Sequence, residues 1–345
     1  ETLGRNKNMS KLLVVGDLHW KDRLGYADVI HDGRKAEKQQ VLDVIVEMAK
    51  GCDKVIFMGD QLNGRNNPSE VIREFVEFIE RFGKKEIFII SGNHEKTGDG
   101  KSAIDFMREV NKKNWHIITN EVTKIGEDVF VPYFYKGELG CHDNVEASKA
   151  LMEMIPAGEN LFIHHAVSGY TFKSIVTDML KEPILPISIT KKFKRVFCGH
   201  IHVPGKTDKN KVIYTGSVFT NEVNEDKKYV YWLEDDLVTD IILPCRPIIK
   251  IENPTKDDLM DLERNHIVKA VFSKKYKEEE LAVVKDLIRK RFDGHVIVDD
   301  FKTERKNIKI KDGDLDLDIK NLLTIYAKER NIDLQKLLDG WDLIK

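Results

Sequence analysis

Five short apolar runs in this chain each stop at a residue able to bind a cation. That repeated grammar limits the fold more than any other feature. Leu12-Leu13-Val14-Val15 leads into Gly16-Asp17-Leu18-His19, and Val55-Ile56-Phe57-Met58 into Gly59-Asp60. Ile87-Phe88-Ile89-Ile90 leads into Gly92-Asn93-His94-Glu95, Leu161-Phe162-Ile163 into His164-His165, and Val196-Phe197-Cys198 into Gly199-His200-Ile201-His202. Each reads as an apolar strand with an oxygen or nitrogen donor at its carboxyl end. Open α/β sheets gather their ligands at strand carboxyl ends, so five such ends predict one shared site.

The intervals supply helices. Arg34–Met48 places Val41, Leu42, Ile45 and Met48 on one stripe. Ser69 is positioned to cap a helix over Glu70–Phe82, whose Phe75, Phe78, Ile79 and Phe82 would pack inward. Ile104–Val110 reads as another helix. Beyond it strands predominate, at Trp115–Ile118, Val129–Tyr133, Leu161–His164, Val196–Cys198, Val212–Thr215, Tyr229–Leu233 and Leu237–Leu243. The order predicts an α/β fold over residues 11–244, two β-rich layers packed on each other with helices outside.

Pro244-Cys245-Arg246-Pro247 marks a boundary. A small β-α-β-α-β domain follows over residues 245–301, with strands at Ile248–Ile251, Val268–Phe272 and Val296–Val298 and helices at Lys256–Arg264 and Glu278–Phe292. Residues 302–318 read as a charged linker. In it Lys302, Arg305, Lys306, Lys309 and Lys311 give way to Asp312, Asp314, Asp316 and Asp318. The stretch 319–345 holds two short helices, one presenting Ile319, Leu322, Leu323 and Tyr326, the other Leu334, Leu337, Leu338 and Trp341. Each has a single apolar face, which can close on the protein itself or on a partner helix. Residues 1–10 are polar and patternless and read as an added stretch, with Met9 the natural start.

Charged residues make up 33% of the 345, yet the formal net charge is only −2. That balance excludes a uniformly basic nucleic-acid coat, though not a local patch. No apolar run approaches the roughly 20 residues that span a bilayer. The four cysteines are scattered, without C-x-x-C spacing, as in the reduced thiols of a cytosolic protein. A soluble, cytoplasmic protein without a membrane partner is the expectation.

Asp17, His19, Asp60, Asn93, His164, His200 and His202 are the collected strand-end donors. Seven mixed oxygen and nitrogen ligands are too many for one tetrahedral zinc, and no cysteine joins them. They suit two divalent ions about 3.5–4 Å apart that share one carboxylate. Asp60, at the end of the central of the first three strands, is the natural bridge. Taken singly, each has an ordinary alternative. Asp17 and Asp60 could close turns, Asn93 could serve an Asx-turn, and His19 could lie on the surface. His31, His116, His142, His266 and His295 have no such context and read as structural or exposed.

In this order, Asp17-x-His19, Gly59-Asp60, Gly92-Asn93-His94-Glu95, His164 and Gly199-His200-x-His202 resemble the five signature motifs of calcineurin-like metallophosphoesterases. Within that superfamily the chain is most similar to SbcD-type recombination nuclease subunits, with phage-encoded members nearest in layout. Asn67-Pro68-Ser69 and Tyr214-Thr215-Gly216-Ser217 carry that narrower likeness. The resemblance covers about Lys11 to Leu243; beyond, only order and size match. It implies a metallophosphoesterase fold, a two-layer β-sandwich flanked by helices. One ion would be held by Asp17, His19, Asp60 and His202, the other by Asp60, Asn93, His164 and His200. Of the doubled pair His164-His165, the resemblance favours His164, because the family's ligand sits at the strand end; His165 is the alternative. The doubling itself departs from the family pattern, as does Gln61-Leu62-Asn63 after Asp60. His94 resembles the family histidine that contacts the scissile phosphate and assists the leaving oxygen.

The activity implied is that of a Mn²⁺-dependent nuclease, an exonuclease on duplex DNA ends and an endonuclease on single strands. It would act in DNA repair and recombination beside an SbcC-type ABC ATPase with a long coiled coil. The 245–301 domain would cap DNA, the 319–345 helices would grip the coiled-coil base, and a homodimer would form through Arg34–Met48 and Glu70–Phe82. Two other functions share the metal set: a stand-alone phosphodiesterase or phosphatase for small esters, and a non-catalytic scaffold. The first leaves the second domain unexplained; the second would normally have lost ligands.

Overall fold

A computed structural model of the chain describes residues 10–21, 24, 26, 34–110, 112–172, 175–207, 211–223, 225, 227–274, 276–300, 324, 327 and 333–335. The chain forms two compact units, Glu1–Asp299 and Asp300–Lys345. Within the second, Thr324, Ala327, Leu334 and Gln335 are helical. His31, the 302–318 stretch and the remaining residues expected in the two terminal helices lie outside the described residues.

The first unit opens with β1 (Leu12–Val15), α1 (Lys35–Ala49), β2 (Lys54–Phe57), α2 (Ser69–Glu80) and β3 (Glu86–Ile90). It continues through β4 (Trp115–Ile118), β5 (Thr123–Ile125), β6 (Asp128–Val131), α3 (Asn144–Met154) and β7 (Asn160–Ile163). A two-stranded hairpin, β8 (Thr171–Phe172) and β9 (Ile175–Val176), precedes β10 (Arg195–Cys198), β11 (Gly205–Lys206) and β12 (Val212–Tyr214). Two long strands, β13 (Lys228–Glu234) and β14 (Leu237–Leu243), end this part.

These strands make two six-stranded sheets, β14-β13-β1-β2-β3-β4 and β11-β12-β10-β7-β6-β5. In the first, β1 to β4 run parallel, and β13 and β14 are antiparallel additions. In the second, β6, β7, β10 and β12 are parallel between antiparallel edges. Parallel strands covered on both faces need apolar side chains on both, which is why β1, β7 and β10 are buried along their whole length. Facing side chains of the two sheets interleave as Val14, Ile56, Met58, Phe88, Phe130, Phe162, Phe197 and Ile213. Phe88, Phe130, Phe162 and Phe197 stack in a row, successive centroids 4.6, 5.2 and 5.2 Å apart. On the outer face of the first sheet, Val41, Leu42 and Ile45 of α1 and Phe75, Phe78 and Ile79 of α2 close a second core. The expected sandwich with helices outside is the fold observed.

Residues 245–299 build a smaller layer. Here β15 (Ile248–Glu252), β16 (Ile267–Phe272) and β17 (Gly294–Asp299) form a parallel sheet in sequence order, with α4 (Lys256–Met260) and α5 (Glu278–Arg291) as crossovers. It has its own core of Leu259, Val268, Ala270, Phe272, Val284, Ile288 and Phe292.

Four local expectations change. Ser69 is the first helical residue and not the cap: Pro68 holds the N-cap position, with no side-chain hydrogen bond to the helix. The fixed φ of proline sets that entry without one. Ile104–Val110 supplies one 3₁₀ turn, Asp105–Arg108. The helix expected over Lys256–Arg264 stops at Met260. The sequence reading also passed over α3, whose apolar side is only Ala147 and Leu151 and whose start is a single Asp143 side chain accepting from Glu146 N.

Candidate metal centre

The sheet order puts β1, β2 and β3 side by side, so Asp17, Asp60 and Asn93 leave neighbouring carboxyl ends, with Asp60 in the middle. In the second sheet β7 and β10 are parallel neighbours, and they deliver His164 and His200 to the same rim. Backbone bonds tie the loops together there: His19 N donates to Asp60 O (2.8 Å), Asp17 N to Gly216 O (3.2 Å) and Val218 N to Asp17 O (2.8 Å). The loops are so close that several of their glycines tolerate no side chain. A Cβ at Gly59, whose φ is +106°, would lie 2.1 Å from His164 Nδ1, and one at Gly92 would lie 2.0 Å from Asp60 Oδ1. His19, Asp60 and His200 adopt left-handed φ values of 45°, 50° and 74°. Non-glycine residues held this way cost of order 1–3 kcal/mol each and concentrate at functional sites.

All seven strand-end donors converge, in two groups that share Asp60. On one side Asp17, His19 and His202 gather, with His19 Nε2 2.8 Å from His202 Nε2. On the other, Asp60, His164 and His200 gather. His164 Nε2 is 3.3 Å from Asp60 Oδ2 and 3.2 Å from Asn93 Oδ1, and His200 Nδ1 is 2.9 Å from Asn93 Oδ1. Asp60 Oδ2 also lies 3.8 Å from His19 Nε2, so one oxygen looks at both groups. His165, the alternative ligand, points away. Its Nε2 accepts from Phe134 N (2.9 Å) and its Nδ1–H donates to Pro183 O (3.1 Å). His116 stacks on Phe88 and meets Glu86, a structural role, and His142 is exposed.

The donors suit cations because buried carboxylate, amide and imidazole atoms converge with few other partners, and without a cation a proton on His164 Nε2 stands between that ring and Asp60. His164 Nδ1–H donates to Met58 O (2.7 Å), which leaves Nε2 to face the Asp60 and Asn93 oxygens. Asp17 accepts from His200 N through Oδ2 (3.0 Å), while its buried Oδ1 has no hydrogen-bond partner. A buried oxygen left unpaired costs roughly 1–3 kcal/mol, more when charged; a bound cation removes that cost. Charge states follow. Burial pushes the Asp17 carboxyl up to about 7, with His164 opposing and Asp60 adding to it. Burial also acts on Asp60, but the facing imidazoles, His164 first, overcome it and hold that carboxyl below the ordinary range. Burial works against a charged His164 too, yet Asp60 and Asp17 raise it to about 10. Burial wins at His19 and His202, lowered to about 3 and about 4.

His94 occupies the mouth. Its ring stands edge-on to His19, 4.7 Å between centroids, with 43% of the side chain exposed. His94 Nδ1–H donates to Asn63 O (3.1 Å), and its Nε2 lies 4.0 Å from Asp60 Oδ2.

The sequence reading missed three supporting residues. Glu95 is buried and accepts from Leu62 N (2.8 Å) and Gly92 N (2.7 Å), which clamps the loop after Asp60 to the turn before Asn93. Burial, helped by Asp60, raises it to about 7. Lys228 is wholly buried. It donates to His202 O (3.0 Å) and Ser217 Oγ (2.7 Å) and pairs with Glu225 (3.1 Å). Glu182 Oε1 lies 2.7 Å from His200 Nε2. Glu95 stood inside a quoted motif and Lys228 opens a β-strand, so both carried some signal; Glu182 carried none.

Two Asp/His groups joined through one carboxylate, at the rim where two mixed sheets meet, define a metal-dependent phosphoester hydrolase. The family model of calcineurin-like phosphoesterases matches residues 10–273 of the 345, and the chain belongs to that family. Its members typically hold two divalent metals. Among the described residues, no helix is long and apolar enough to cross a membrane.

Proposed function

We propose that this phosphoesterase cuts DNA, as the nuclease subunit of an SbcC–SbcD-like repair complex. The observation that carries the hydrolase reading is the convergence of buried ligand atoms on Asp60, with His164 Nε2 3.3 Å from Asp60 Oδ2 and Asp17 Oδ1 unpaired beside them. Asp17, His19, Asp60 and His202 would hold one ion, and Asp60, Asn93, His164 and His200 the other, Mn²⁺ being the expected metal. When bound, such a pair supplies an activated water and neutralises charge on the phosphoryl group. The protein's share is orientation and proton supply. Asn63 O fixes the His94 ring by its Nδ1–H and leaves Nε2 at the mouth, where the doubly protonated ring would carry the proton given to the departing oxygen. Glu95 and Lys228 hold the Asp60, Asn93 and His202 loops in register.

The choice of DNA is supported by the likeness of Asn67-Pro68-Ser69 and Tyr214-Thr215-Gly216-Ser217 to the SbcD-type branch. Of these, Thr215 donates to Cys198 O (3.1 Å) and Ser217 bridges to Asp17, so that segment braces the centre. The smaller 245–299 layer, with a core of its own and no task in hydrolysis of a small ester, supports a capping role over a duplex. The spacing of Ile319, Leu322, Leu323 and Tyr326 and of Leu334, Leu337, Leu338 and Trp341 supports docking on the coiled-coil base of an ABC ATPase. Pairing of α1 and α2 across a homodimer belongs to the same reading.

The test is a gel assay of end-labelled duplex and single-stranded DNA with Mn²⁺, with and without the partner ATPase and ATP. Shortening of duplex ends and nicking of single strands, weakened by salt as phosphate contacts are screened, is the expected result. Turnover of nitrophenyl phosphodiesters with DNA left intact under every condition overturns the nuclease reading and keeps the hydrolase.

A further inference from the structure

The doubled histidine leaves one fully buried imidazole, His165, outside the clustered donors. A second unused group is Glu182, whose side chain is 13% exposed. The two belong to one arrangement. His165 takes Phe134 N–H on Nε2, so its proton is on Nδ1 and is donated to Pro183 O. The same ring stacks on Tyr133, centroids 4.6 Å apart and planes within 10°. Tyr133 OH in turn donates to Glu182 Oε2 (3.1 Å). Residues 182 and 183 are thus gripped from two directions, by a hydroxyl and by an imidazole. What this delivers is Glu182 Oε1, 2.7 Å from His200 Nε2.

The other nitrogen of that ring, His200 Nδ1, faces Asn93 Oδ1. A neutral imidazole carries one N–H and one lone pair, and the partner of the first decides where the second points. His164 solves this in one sense, with Nδ1–H on Met58 O and Nε2 inward. His200 sits in the opposite sense, Nδ1 inward and Nε2 outward. The two rings that meet at Asn93 therefore need separate anchors on opposite nitrogens.

We propose that Glu182 is a positioning residue of the metal centre: its carboxylate, 2.7 Å from His200 Nε2, draws the ring's proton to that nitrogen and leaves Nδ1 unprotonated and aimed at Asn93, as a ligand in the Asp60–His164–His200 group. His165, through Pro183 and Tyr133, holds Glu182 in place. The inference rests on the metal-dependent hydrolase reading. Carboxylate partners of ligand imidazoles are typically worth 10–100-fold in metal affinity.

The experiment measures Mn²⁺ binding to the full chain by calorimetry, with bound ions counted by elemental analysis. Wild type, Glu182→Ala, Glu182→Gln, His200→Ala and the Glu182→Ala/His200→Ala double variant are compared. Glu182→Ala is expected to weaken one ion by about 10–100-fold and leave the other at its parental affinity. Glu182→Gln keeps an acceptor oxygen and should recover most of the loss. On the His200→Ala background, Glu182→Ala should add nothing. Parental affinity for both ions in Glu182→Ala overturns the proposal, and so does a loss that persists in full without the His200 ring. Should Glu182→Ala not fold, Glu182→Asp replaces it, with a smaller loss at the same ion expected and none overturning the idea. A wild-type chain that takes up no ion defeats the hydrolase reading instead. Positioning is then read directly by long-range ¹⁵N–¹H NMR of His200, expected as the Nε2–H form in wild type and as a mixture in Glu182→Ala.

Discussion

In one group of donors His19 and His202 meet nitrogen to nitrogen, both held neutral by burial. In the other His164 meets two oxygens and is held protonated by Asp60 and Asp17, against its burial. Residue types are nearly the same on the two sides, and the difference lies in what stands behind each ring. His202 is braced through its backbone, where Lys228 donates to its carbonyl. His164 and His200 are braced through their rings, on Met58 O and against Glu182. The first side is ready for a cation as it stands; on the second a proton occupies the place that a cation would take. Burial sets imidazole charge only where no carboxylate overrules it.

The largest effect should come from the residue the two groups share. Asp60→Ala removes an acceptor from both at once, so ion counting should find neither bound at parental affinity. Turnover of a phosphodiester should fall by more than the about 10²–10³-fold typical of losing one oxyanion donor. Retention of one ion at full affinity would show that Asp60 serves a single group. His94→Asn comes next. The ring touches neither group through a short bond, so both ions should stay while turnover drops by about 10²–10⁴-fold, the range for general acid help. Its Nε2 is nonetheless within reach of His19 and Asp60, and loss of an ion in this variant would make it a ligand.

Lys228→Met tests the backbone-braced group alone. Removing one member of a buried pair leaves Glu225 charged and uncompensated, at a cost of about 3–5 kcal/mol in stability, read by urea unfolding. The ion held with His202 should weaken while the one held with His164 does not. Equal weakening of both would mean that Lys228 supports the whole rim and not one side of it.

The two groups also differ in how far a sequence could reveal them. Ligands were legible because each lies within four residues of the end of a three- or four-residue apolar run, and a parallel strand delivers its end residues to one rim. His164 and His165 are adjacent, and alternation along a strand sends them opposite ways; the strand end marks the inward one. The shared role of Asp60 was legible from strand order, since β2 lies between β1 and β3. The braces were not. Glu182 lies 18 residues after His164 and 18 before His200, in a stretch without helical or strand periodicity, and only tertiary packing brings it to His200. Lys228 lies just before the strand expected at Tyr229–Leu233 and looked like an ordinary charged residue, because its burial depends on Ser217 and Glu225 packing against it. Local chemistry names ligands; what orients them comes from distant segments that no short-range pattern links.

The smallest expected effect is the sharpest test of the contrast between the groups, and it concerns protons. Metal binding requires unprotonated ligands, so each ion displaces whatever protons its ligands carry. At about pH 8.5 His19 and His202, lowered to about 3 and about 4, carry no extra proton. Asp17, raised to about 7, is ionised there as well. His164, raised to about 10, is still protonated. The sign follows. A ligand whose pKa lies above the working pH must lose its proton on binding, so affinity on the His164 side should fall about tenfold per unit as pH drops below 10. The His19–His202 side should be flat until Asp17 begins to protonate near 7. Calorimetric titration of Mn²⁺ in two buffers of different ionisation enthalpy counts the released protons directly. Any proton given up by the activated water appears in both proteins, so at pH 8.5 wild type should release about one proton more per pair of ions than His164→Asn. Equal proton release from wild type and His164→Asn, or a difference of two, would mean that the two groups share their charge and that the division between neutral and protonated sides is wrong.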